Sequence, residues 1–253
     1  MTETTESGGS RRVALVANTD FYIGPPLARL LAARGHDLVV GDPQDGLVEE
    51  LEALGAAVEV VNDVKDLSDP AASERLVAAG RERFGHLDAA AAFSGRVVTG
   101  RFLQSTLDDL RTVVSGCLEA PYHFLKAVVP PMVDLGEGQV LVVTSASGVR
   151  PTPGAPLYSA VRAAANHLVR NVADEVARTG VQVNAVGTNF MDFPEFLRAT
   201  GGNDPEVRAK LEAAVPMRRL GTVEECAAMC AVFLDGTSRF TTGQFVAYAG
   251  GWA

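Results

Sequence analysis

From residue 12 onward, short apolar runs alternate with longer stretches whose apolar residues recur at helical spacing. Runs of four to eight apolar residues between such stretches read as strands buried on both faces, and their regular alternation with helices predicts a parallel sheet covered on both sides. Strands are expected at Arg12–Ala17, Asp37–Gly41, Ala57–Val61, Leu87–Ala92, Gln139–Thr144, Val181–Val186 and Gln244–Tyr248. Helices are expected near Pro25–Arg34, Leu47–Leu54, Pro70–Phe84, Leu107–Val133, Leu157–Arg178 and Val223–Asp235. The long stretch at 107–133 should break near Pro121, and Pro130-Pro131 should stop or distort its continuation, because each proline removes an amide donor. The pattern as a whole predicts a Rossmann-like doubly wound α/β fold of about seven parallel strands with helices on both faces.

No repeat or linker divides the chain, so 11–253 reads as one catalytic domain. Residues 1–10 are polar and read as a disordered tail rather than a signal peptide. Residues 191–220 show no strand signal and carry Pro194, Gly201-Gly202, Pro205 and Pro216, which suggests a lid or substrate loop over the site.

Composition narrows the function classes. The net charge of −9 and scattered Lys and Arg argue against a nucleic-acid or anionic-membrane surface. No apolar run approaches the length needed to cross a bilayer, so a soluble, cytoplasmic protein is expected. Cys117, Cys226 and Cys230 form no metal-ligand spacing and read as small buried hydrophobes. The four histidines likewise suggest no metal.

The candidate chemistry gathers where the strands end. Ligands of such sheets bind outside the carboxyl ends of the strands. That rule collects 18–24, 93–95, 145–150 and 187–190 at one edge. Tyr158 and Arg162 are four residues apart and share a helix face. A guanidinium one turn from a phenol favours the phenolate, so Tyr158 can serve as base and Arg162 as its electrostatic support. Ser145, ending a strand, can hold a substrate oxygen against Tyr158. As an isolated pair Tyr158 and Arg162 could be an ordinary surface contact; Ser145 thirteen residues upstream makes them a site.

The loop after the first strand points elsewhere. A pyrophosphate turn needs glycines so that phosphate oxygens meet N–H groups and not Cβ atoms. Here Asn18 and Tyr22 take two of the three glycine places and only Gly24 remains. The Tyr22 ring is expected where a dinucleotide should lie, so no cofactor is expected. Asp42 and Asp63, placed where nucleotide-binding relatives recognise ribose and adenine, then read as inherited polar loop residues.

Taken in order, ALVANTDFYIGPPLARLLAARG, SASGVRPTPGAPLYSAVRAAANHLVR, VQVNAVGTN and TGQFVAYAGGW resemble the short-chain dehydrogenase/reductase superfamily over nearly the whole chain. That superfamily has a lysine where Arg162 stands, Asn-Asn-Ala-Gly where Ala92-Phe93-Ser94-Gly95 stands, and a helix asparagine where Cys117 falls. Arginine for lysine, with an aromatic two residues before the loop glycine, resembles the halohydrin dehalogenases, and 187–194 looks most like their G-type branch. The leading threonine of that family's loop falls at Ala17, a departure.

This resemblance implies a cofactor-independent lyase. Tyr158 takes the hydroxyl proton of a vicinal haloalcohol while Ser145 holds the oxygen, and the alkoxide displaces halide to give an epoxide. In reverse, azide, cyanide or nitrite opens an epoxide. Tyr22, Thr188, Asn189, Phe190 and Met191 are then implied to hold the halide or nucleophile, with Phe21, Phe93, Ser147 and Phe193 on the substrate. Each has a plainer reading: Tyr22 and the phenylalanines as core packing, Asn189 as a loop stabiliser. The resemblance also implies a homotetramer. Two other readings stand beside it: a nicotinamide-dependent oxidoreductase with an altered loop, and a catalytically inactive member of the fold.

Overall fold

The computed structural model describes residues 11–253; the tail expected at 1–10 lies outside them. Along the chain run β1 (Arg12–Val16), α1 (Gly24–Ala33), β2 (His36–Gly41), α2 (Leu47–Ala53), β3 (Val58–Val61), α3 (Pro70–Phe84) and β4 (Ala89–Phe93). Next come α4 (Leu107–Val114), α5 (Ala120–Leu135), β5 (Gly138–Ser145), α6 (Pro156–Val176) and β6 (Val181–Thr188). The last section holds β7 (Met191–Asp192), α7 (Pro194–Thr200), α8 (Pro205–Ala214), β8 (Gly221–Thr222), α9 (Val223–Val232) and β9 (Phe245–Tyr248).

Seven strands form one parallel sheet in the order β3-β2-β1-β4-β5-β6-β9. All seven expected strands are present and the doubly wound class is as expected. The order reverses between β1 and β4, the switch point beside which ligands of such sheets sit. Apolar residues fill both sheet faces. Val13, Leu15, Val140 and Val142 pack toward α3 and α5, and Val16, Val40, Leu141 and Val143 join a second layer with residues of α1 and α9.

Two expectations of helix geometry are corrected. The stretch at 107–133 does not break at Pro121. It passes through a π turn at Ser115–Glu119, whose extra residue lets the axis continue into α5. Pro130 and Pro131 do not stop α5, which runs on to Leu135. An interior proline costs about 3 kcal/mol. Phe124, Leu125, Val128, Val129 and Met132 are all buried on this helix, at about 1.5–3 kcal/mol each, and that burial outweighs the lost hydrogen bonds.

The lid region is more ordered than its composition suggests. Residues 191–222 hold two short helices and a two-stranded parallel pair, β7 with β8. Asp204 caps α8 by accepting from the Glu206 and Val207 amides, and Arg208 ties α8 back to Asp192 at 2.5 Å. No helix among the described residues is long and apolar enough to cross a membrane.

Candidate active site

The β5–β6 register pairs Ser145 with Thr188, so two strands end side by side at the switch-point edge. Ser145 is buried; its hydroxyl donates to the Thr188 carbonyl at 3.2 Å and accepts from the Ser147 amide at 3.1 Å. Pro156 starts α6 without needing an amide partner, and the Ser159 hydroxyl bonds the Ser147 carbonyl at 2.6 Å. That bond anchors the first turn of α6 to the loop after β5. Tyr158 and Arg162 therefore face the cavity that Ser145 lines.

Arg162 is 3% exposed, and its guanidinium carbon lies 5.1 Å from the Tyr158 ring centroid. Burial opposes its charge, but the pull of Tyr158 and Cys117 outweighs burial and holds it above the ordinary arginine value. It is a fixed cation beside a phenol. Cys117, in the π turn, accepts from the Arg96 amide through its sulfur at 3.4 Å.

A cavity of about 830 Å³ opens above these residues. Every residue expected at the site lines it: Ser145, Tyr158 and Arg162; Tyr22, Thr188, Asn189, Phe190 and Met191; Phe21, Phe93, Ser147 and Phe193. One wall is a chain of rings. Tyr22 lies 4.2 Å from Phe193, Phe193 stacks on Phe196 at 6.2 Å, and Phe190 meets both Phe196 at 6.2 Å and Trp252 at 5.5 Å. Phe196 and Trp252 were missed by sequence reasoning. Both follow closely on strand ends, but only the fold of α7 and of the C-terminal residues turns their rings over the cavity. Arg150 stacks on Trp252 at 4.6 Å and donates to its carbonyl at 2.7 Å.

Tyr22 crosses the site. Its hydroxyl donates to Thr188 Oγ1 at 2.8 Å, and burial pushes the phenol well above its ordinary pKa, so it remains a donor. Its backbone is held at φ 57°, a conformation that costs a bulky residue of order 1–3 kcal/mol and needs the ring contacts to sustain it. Gly24 is needed for a different reason. A Cβ there would come 2.9 Å from the Asn18 carbonyl carbon and closer still to its oxygen.

Two of the groups implied to meet a halide have partners within the protein. Asn189 Oδ1 accepts from the Phe190 amide at 2.9 Å, so that N–H is capped by the preceding side chain. The Thr188 hydroxyl is engaged by Tyr22. The Phe190 amide is thereby occupied, whereas the Thr188 hydroxyl, as acceptor, keeps its own proton to donate. Asp42 is a structural residue, its carboxylate accepting from the Asp63 amide at 2.7 Å and the Val64 amide at 2.8 Å.

The same crevice can be tested for the nicotinamide dinucleotide of the superfamily's dehydrogenases. A dinucleotide passes its pyrophosphate over the β1–α1 loop and lies along the switch-point edge. Here the Tyr22 ring runs from that loop to the end of β6, and Asn18 stands at the first glycine place. In this conformation the residues do not fit an extended dinucleotide, and the principal obstacle is one ring.

Residues 19–253 match the family described as enoyl-(acyl carrier protein) reductase. Oxidoreductase UcpA of Salmonella typhimurium is 27% identical over 92% of this chain and 90% of its own length. The 2,5-dichloro-2,5-cyclohexadiene-1,4-diol dehydrogenase LinX of Sphingobium indicum is 26% identical, covering 96% of each chain. The structure of a short-chain type dehydrogenase/reductase from Mycobacterium ulcerans superposes with a TM-score of 0.86 at 25% identity, over 95% of this chain and 89% of that one. These relatives overturn the halohydrin dehalogenase reading. The chain is similar to oxidoreductases, and neither a carbon–halide lyase nor cofactor-independent haloalcohol chemistry is supported. The lost glycines misled the sequence reading because they describe one loop, whereas the likeness to reductases spans the whole fold.

Proposed function

We propose, from the premise that this chain belongs to the short-chain dehydrogenase/reductase family described as enoyl-(acyl carrier protein) reductase, that it is an oxidoreductase interconverting an alcohol and a carbonyl on an apolar, ring-bearing small molecule. The observation that carries this reading is the placing of Ser145, Tyr158 and the buried Arg162 around one aromatic-walled cavity. The names of UcpA and LinX support the reaction class, and LinX by name acts on a cyclic diol.

Interconverting alcohol and carbonyl moves a proton at oxygen and a hydride at carbon. The residues of this chain account for the proton; the hydride would pass to or from a nicotinamide dinucleotide, whose entry requires the Tyr22 ring to leave its bond to Thr188. Ser145, now donating to the Thr188 carbonyl, can turn its hydroxyl to the substrate oxygen, and Tyr158 exchanges the proton there. Arg162 stabilises negative charge on the phenol oxygen from a site closed to water, where a fixed cation acts most strongly. The rings of Phe190, Phe193, Phe196 and Trp252 give the substrate body an apolar wall.

The test uses the purified full chain. It is titrated with NAD and NADP in both redox states, then supplied with cyclic alcohols and ketones while nicotinamide absorbance is followed. Substrate-dependent change in that absorbance is expected with one of the two dinucleotides. Neither binding nor turnover with either of them rejects the reading.

A further inference from the structure

A buried guanidinium must be held by something, and here the holder is not a carboxylate. The charge of Arg162 faces Tyr158, Cys117 and Tyr22, and its Nε has no hydrogen-bond partner. Both fork nitrogens go to one residue at the end of β4: Nη1 donates to Ser94 Oγ at 3.3 Å and Nη2 to the Ser94 carbonyl. The next residue, Gly95, leaves the room for this. A Cβ on Gly95 would overlap Nη2 and stand 3.4 Å from the guanidinium carbon.

We infer that Ser94 and Gly95 are positioning residues which set the arginine fork beside Tyr158, Ser94 by accepting both nitrogens and Gly95 by presenting no side chain to them. The physical argument is one of degrees of freedom. Arginine has a long flexible stem, and cation–phenol attraction alone fixes a distance but not an orientation. Two donors on one residue fix the plane of the fork. Gly95 is not a turn requirement here, since it is not among the residues with positive φ. Its constraint is the contact with Nη2.

The effect on turnover rests on the oxidoreductase reading; the packing of Gly95 against Arg162 does not, and the experiment separates the two. Gly95→Ala is made in the wild-type and in the Arg162→Lys backgrounds, and melting temperature is measured for all four proteins. Lysine ends in a single nitrogen and has no Nη2 for the new Cβ to meet. Nη2 ends a flexible stem, but the fork is buried and bonded to Ser94, so it cannot yield without breaking those bonds. A drop in melting temperature is expected for Gly95→Ala alone, and little further drop when it is added to Arg162→Lys, a non-additive cycle. In the wild-type background, kcat is expected to fall by about tenfold or more with KM within about twofold, as loss of orientation rather than binding demands. Ser94→Ala, which introduces no overlap but leaves Nη1 without its acceptor, should lower kcat by a smaller factor with only a modest drop in melting temperature. Additive melting temperatures, or an unchanged kcat in Ser94→Ala, overturn the assignment. Coupled melting temperatures in a protein with no alcohol or ketone turnover support the Gly95–Arg162 packing and reject the proposed function instead.

Discussion

The Tyr22 hydroxyl donates to Thr188 Oγ1 at 2.8 Å, joining the loop after β1 to the end of β6 across the ends of the two strands between them. That bond places a phenol ring in the path a dinucleotide takes, in a chain whose relatives are oxidoreductases. Sequence similarity and loop geometry pull apart at this one residue.

Tyr22→Gly removes the ring and places at φ 57° the residue best suited to that backbone. The variant is expected to bind NAD or NADP at least about tenfold more tightly than the wild-type chain, about 1.4 kcal/mol. Fluorescence titration reads the two constants. Equal affinities reject the ring as the obstacle.

Tyr158→Phe keeps the ring that Arg162 faces at 5.1 Å and deletes only the group that exchanges the proton. Turnover should fall by about 10²–10⁴, the usual worth of a positioned acid–base group. The circular dichroism spectrum should be unchanged. Undiminished turnover would remove Tyr158 from its role.

Gly24→Ala forces a Cβ against the Asn18 carbonyl, backbone against backbone, where no side chain can give way. A loss of about 2 kcal/mol or more is expected, by the same mechanism that makes overpacked cores unstable. Urea denaturation measures it. A midpoint equal to wild type means that α1 shifts freely on β1.

Arg150→Ala releases Trp252, which Arg150 holds both by stacking at 4.6 Å and by a hydrogen bond at 2.7 Å to its carbonyl. With one wall of the cavity loosened, KM for an apolar cyclic substrate should rise several-fold while kcat stays within about twofold. Steady-state kinetics on paired cyclic and small linear substrates checks this. The linear substrate should be the less affected.

His36 makes stability depend on pH. It is buried, its Nδ1 lies 3.1 Å from the Leu31 carbonyl, and Arg12 Nε donates to its Nε2 at 3.3 Å, an arrangement for the neutral ring. Burial first, and the Arg12 charge second, lower its pKa from 6.5. The unfolded chain therefore takes up this proton before the folded one does. Its contribution is complete above about pH 6.5 and declines as pH falls below that value toward the folded pKa. Urea midpoints of wild type and His36→Gln, compared between about pH 8 and pH 5, should converge on the acid side.

The chain alone settled the architecture because that information is local and periodic. Seven apolar runs alternating with amphipathic stretches admit few arrangements other than a doubly wound sheet, and the four-residue spacing of Tyr158 and Arg162 puts both on one helix face. Tertiary structure decided what each site residue touches. That Asn189 caps the Phe190 amide, that Tyr22 reaches Thr188, that Ser94 holds the arginine fork and that Trp252 closes the cavity all depend on side chains meeting across tens to hundreds of residues of sequence, or on a loop conformation set by its neighbours. Periodicity says which face of an element is apolar. It carries no information on which donor finds which acceptor once the elements are packed, because that choice is made by ångström-scale distances that exist only in the folded chain.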